Sequence, residues 1–187
     1  MSGKPQPERG SFATRDVVKE PHDGGGRQRQ RQVAVIGSGG CAQDSETAQL
    51  AEEVGRLLAE AGVAVVCGGT RGVMEAACRG AAGAGGTAIG IVPGTSVEEA
   101  NPYCTQVVAT GIGHARNLAV VSSGEVVIAV GGEWGTLSEI GHARAIGRTV
   151  VALSSWELTG RERMDGAPGV ISAETPEDAV AAALAAL

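Results

Sequence analysis

A chain of 187 residues is long enough to bury a full hydrophobic core, and a net charge of −6 excludes a protein that coats nucleic acid or a membrane surface, since those phosphates attract basic faces. Phe12, Tyr103, Trp134 and Trp156 are the only aromatic residues, too few for a platform on which single-stranded bases stack. No apolar run has the length of a bilayer span and the leader lacks the apolar segment of a signal peptide, so the expectation is a cytoplasmic protein.

Residues 1–30 are Gly, Pro, Gln and charge, ending in alternating Arg and Gln. Such a segment buries too little apolar surface to offset its ordering entropy, and a disordered tail is expected there. Residues 31–187 form the expected single domain. Short apolar runs follow one another along it: Val33–Ile36, Val63–Val66, Ala88–Val92, Gln106–Ala109, Val126–Val130, Thr149–Leu153 and, more weakly, Val170–Ile171. Most are continuously apolar, as strands covered on both faces are. Helical periods fall between most of them, over Ser45–Ala61, Gly72–Ala82, His114–Val121, Leu137–Ile146 and Pro176–Leu187, whereas Pro93–Tyr103 reads as a long loop. Alternation of this kind predicts βαβ units and a Rossmann-like, doubly wound α/β fold: three layers around a parallel sheet of six to seven strands.

In such sheets a ligand binds beyond the carboxyl ends of the strands, and the glycines cluster there. Gly37, Ser38 and Gly39 open a G-x-G-x-x-A turn after the first strand that suits a pyrophosphate at a helix N-terminus, or a tight turn with no ligand. The second strand ends in Cys67-Gly68-Gly69, without the acidic residue that holds the ribose of a dinucleotide, which favours a mononucleotide over NAD. Gly68, Gly69 and Gly72 free backbone N–H groups to face an anion, or else form a plain turn capped by Thr70; Met74 follows as a nucleotide contact or a core filler. After the fifth strand come Gly131, Gly132, Gly135 and Thr136, an anion-binding turn and helix start, with Glu139 one turn on. The same Thr136-x-x-Glu139 spacing is also that of a capping box.

Four cysteines are scattered without a C-x-x-C pair and read as buried apolar thiols of a reducing compartment, not a disulfide framework or a zinc site, in preference to a redox or metal role. The only lysines, Lys4 and Lys19, lie in the tail. That excludes a pyridoxal phosphate enzyme, which needs a Schiff-base lysine, and a Walker A loop.

The run Val130-Gly-Gly-Glu-Trp-Gly-Thr-Leu-Ser-Glu139 resembles the P-G-G-x-G-T-x-x-E signature of the LONELY GUY (LOG) family, long labelled "possible lysine decarboxylase". Gly68–Met74, Gly90–Gly94 and the Gly113-His-Ala-Arg-Asn117 segment extend the resemblance over nearly the whole domain. Val130 replaces the signature proline, Glu133-Trp134 stands where it has one residue, and Asn117 replaces a lysine. The wording of these segments is similar to a sister branch that resembles molybdenum-cofactor carrier proteins. The resemblance implies hydrolysis of the N-glycosidic bond of a nucleoside 5′-monophosphate to free base and ribose 5-phosphate, with Arg116 and Glu139 as the catalytic pair, no cofactor, no metal and a homodimer. The alternative it implies is a carrier that holds a nucleotide or molybdenum cofactor without turnover. The expected partner on either reading is a phosphate-bearing small molecule, not nucleic acid or membrane.

Overall fold

The computed structural model describes residues 29–156 and 170–187, so the expected tail lies outside the described residues up to position 28. Seven strands form one sheet: β1 (Gln32–Gly37), β2 (Ala64–Cys67), β3 (Ala88–Val92), β4 (Gln106–Ala109), β5 (Val126–Val130), β6 (Thr149–Leu153) and β7 (Ile171–Ala173). Every neighbouring pair is parallel, in the order β4-β3-β2-β1-β5-β6-β7. The helices are α1 (Glu46–Glu60), α2 (Val73–Gly83), α3 (Arg116–Ser123), α4 (Trp134–Ala145) and α5 (Pro176–Ala185). This is the doubly wound α/β architecture that the alternating periods predict.

The period of two along each strand sorts side chains into two cores. Val33 and Val35 of β1 and Val126, Ile128 and Val130 of β5 pack with α1, α2 and α5. Their neighbours Ala34, Ile36, Val127 and Ala129 pack with α3 and α4 on the other face. Both faces are covered, which is why these strands read as unbroken apolar runs.

From β1 the chain moves outward through β2, β3 and β4, then returns across the sheet through α3 to place β5 on the other side of β1. The strand order therefore reverses between β1 and β5. Loops leaving two such strands diverge to opposite faces and leave a crevice between them.

The start of α4 differs from the expectation, and it bears on that crevice together with the start of α1. Helix α1 begins at Glu46 as expected, with Ser45 as its N-cap accepting from the Ala48 N–H at 3.3 Å. Gly37–Ala42 is thus a free loop, and no helix N-terminus follows it directly to receive a pyrophosphate. Helix α4 begins at Trp134, a turn before Leu137, because Glu133 is extended (φ −117°, ψ −169°) and takes the N-cap position. Among the described residues no helix is long and apolar enough to cross a membrane.

Candidate functional site

Arg116 is the first residue of α3, and its position depends on a glycine in the loop after β2. The guanidinium lies flat against Gly68, where an added Cβ would sit 2.2 Å from Nη1. The side chain is only 9% exposed, and its Nε is buried with no hydrogen-bond partner among the described residues. Burial lowers the arginine's pKa, against the attraction of Glu139 and Cys67.

Glu139 faces it from α4 at 7% exposure. Burial pushes its carboxyl up to about 7, and Arg116 only partly offsets the shift. No direct ion pair joins the two among the described residues. Two buried groups of opposite charge therefore share a crevice without closing it. Thr136 is 2% exposed and sits within the helix, so it is not an N-cap, and the capping-box reading of Thr136 and Glu139 falls. His142, one turn beyond Glu139, is exposed.

The crevice has a volume of about 150 Å³ and is lined by Arg116, Glu139, Gly135 and Thr136 on one side and by Gly37, Ser38, Gly39 and Met74 on the other. His114, Asn117 and Glu133 complete its rim. It meets at Gly39 a wider depression of about 560 Å³ bordered by Thr70, Arg71, Glu75 and Asn101. Glu133 makes no side-chain cap bond, so the first N–H groups of α4 have no acceptor within the helix. Sequence reasoning singled out Ser38 as a ligand donor, but its Oγ already donates to Glu133 Oε1 at 2.8 Å and accepts from Gly40 N–H at 3.0 Å. The signal for Glu133 was the extra residue in the glycine turn.

Not every expected residue faces this crevice. Gly131 and Gly132 line a separate depression with Ser154, Ser155 and Trp156, because Gly131 N–H donates to Leu153 O and the Ser155 hydroxyl to Gly131 O, turning that backbone toward β6. Gly68, Gly69 and Gly72 support rather than line it. Gly69 O accepts from both Asn101 N–H and Asn101 Nδ2. Gly72, at φ +63°, comes so close to Ser38 O that a Cβ would lie 2.3 Å from it, and this lets Val73 N–H donate to that oxygen at 3.0 Å. Thr70 does not cap α2; its hydroxyl donates to Met74 Sδ at 3.5 Å. Met74 serves both the core and the crevice wall.

Three of the four cysteines come together in space. Cys67 and Cys78 stand with Sγ atoms 3.3 Å apart, and Cys78 and Cys104 3.7 Å apart.

Comparison with known proteins identifies relatives of the same fold. A protein of Archaeoglobus fulgidus with no described function is 40% identical over 149 residues, covering 80% of this chain and 91% of that protein. The solved molybdenum cofactor binding protein of the phototrophic bacterium Rippkaea orientalis is 32% identical with a TM-score of 0.74, over 84% of this chain and 98% of that one. The molybdenum cofactor carrier protein of Chlamydomonas reinhardtii is 30% identical with a TM-score of 0.71, over the same shares. The model of the SLOG cluster4 family matches residues 30–180, and this chain belongs to that family.

Proposed function

We propose that the crevice between α3 and α4 binds a phosphate-bearing, nucleotide-like small molecule of the molybdenum-cofactor kind and releases it unchanged. The observation that carries this reading is Arg116, a buried guanidinium with an unpartnered Nε facing a carboxyl it does not pair with. A desolvated donor left without an acceptor is costly, and an anionic ligand would supply that acceptor. The free N–H groups at the start of α4 add donors and a favourable dipole on the same side. A volume of about 150 Å³ suits a phosphate and its immediate attachment, leaving the ring system to the wider depression beside Thr70 and Asn101. Likeness to two proteins described as binding or carrying molybdenum cofactor supports the same class of ligand.

A second reading, the nucleoside 5′-monophosphate phosphoribohydrolase, is favoured by Glu139. A carboxyl titrating near 7 can lend a proton to a departing base at neutral pH. Incubation with a panel of nucleoside 5′-monophosphates, followed by chromatography for free base, separates the two. No base release is expected; release abolished in Glu139→Gln would replace the carrier with the hydrolase.

A further inference from the structure

Three elements converge on one sulfur cluster away from the crevice lining. Cys67 is the last residue of β2, Cys78 lies in the middle of α2, and Cys104 sits in the connection before β4. Cys67 and Cys78 are buried, whereas Cys104 is partly exposed. Room for the Cys104 sulfur comes from Gly90, where a Cβ would lie 2.6 Å from Sγ. The Arg79 guanidinium, next in sequence to Cys78, stands 5.9 Å over the ring of Tyr103, next in sequence to Cys104, and is paired with Glu52 at 2.7 Å.

We propose that Cys104 and Cys78 form a peroxide-reactive dithiol, with Cys104 as the attacking thiolate and Cys78 as the resolving thiol. Each feature of the cluster has a part in that chemistry. A nucleophilic thiol must be reachable and ionised, and of the three only Cys104 meets solvent. The neighbouring Cys67 and Cys78 thiols hold its pKa below the ordinary thiol value, and Cys78 lies within sulfur hydrogen-bonding reach at 3.7 Å. The Cys104 thiolate attacks a hydroperoxide, cleaving the O–O bond to give Cys104 sulfenic acid and water or an alcohol. The Cys78 thiol then displaces the sulfenic hydroxyl as a second water and forms the disulfide. Two thiols are oxidised by two electrons and one peroxide is reduced. A sulfur separation of 3.7 Å closes to bonding distance with a shift of roughly 2 Å. Cys67, 3.3 Å behind Cys78, can in turn exchange into that disulfide.

The sequence makes the test unambiguous. Trypsin cuts after Arg31, Arg56, Arg71, Arg79 and Arg116, which puts each of Cys41, Cys67, Cys78 and Cys104 on its own peptide. The reduced full chain is treated with one equivalent of hydrogen peroxide, alkylated and digested. The expected product is a Cys78–Cys104 cross-linked pair of peptides, formed about tenfold or more faster than any product at Cys41, whose sulfur has no thiol neighbour among the described residues. Cys104→Ser should abolish the cross-link, Cys41→Ser should leave it intact, and Cys78→Ala should let Cys104 proceed to the sulfinic acid or cross-link to Cys67. Oxidation of Cys41 at a comparable rate would overturn the proposal, as would survival of all four thiols or a cross-link that persists in Cys104→Ser. None of these outcomes depends on what the crevice binds.

Discussion

Glu139 keeps its proton more tightly in the folded chain than in the unfolded one, because burial raises its carboxyl from 4.5 to about 7 despite the Arg116 charge nearby. A raised folded pKa contributes stability that is complete below the unfolded value and is lost as pH climbs through the folded one. For this group the loss falls between pH 4.5 and about 7. Glu139→Gln should therefore melt later than the parent at about pH 8, by at most about 3 kcal/mol, with the gap closing near about pH 5. Thermal melts across that range check it; a variant less stable than the parent at the alkaline end would mean the charged carboxylate is paired. Gly68 tests the partner. An alanine there collides with the far end of the Arg116 side chain, not with backbone, so stability should change by less than about 1 kcal/mol while the guanidinium is displaced. Affinity for a phosphate-bearing ligand should fall by about tenfold in Gly68→Ala, measured by calorimetry. Unchanged affinity would remove Arg116 from the binding site.

At the scale of elements, the strands and helices were legible and their ends were not. Apolar runs and helical periods place β1 to β6 and all five helices, since two covered sheet faces leave little room for polar residues. The start of α4 was misread because Gly135-Thr136 has the composition of a cap, while the actual turn is made upstream at Gly131 and Gly132. That one-turn difference buries Thr136, sets Glu139 toward Arg116, and puts the Glu133 carboxylate at the helix N-terminus beside Ser38. A fixed negative charge there opposes an incoming phosphate. Glu133→Gln should tighten phosphate-ligand binding several-fold, up to about tenfold, and more at low ionic strength than at high, because the opposing charge lies at an exposed, screened position. Weaker binding in that variant would instead make Glu133 a direct ligand contact.

For the whole molecule, the sequence carried the layered fold and the side of the sheet on which the site lies, because glycines gather after parallel strands. It did not carry strand order. The crossing of α3 from β4 to β5 is what brings Arg116 over Gly68 and opposite Glu139, and no local pattern records it. The thiol cluster was hidden for the same reason, its three members coming from three elements. A ligand bridge between Arg116 and the start of α4 is the centre of the account, and retention of molybdenum cofactor tests it most directly. The purified chain is mixed with the cofactor, passed over a sizing column, and assayed for molybdenum and pterin per chain, in the parent and in Arg116→Gln. The parent should retain about one equivalent, recoverable intact, and Arg116→Gln should bind at least about tenfold more weakly. No retention by the parent, or equal retention by both, would contradict it.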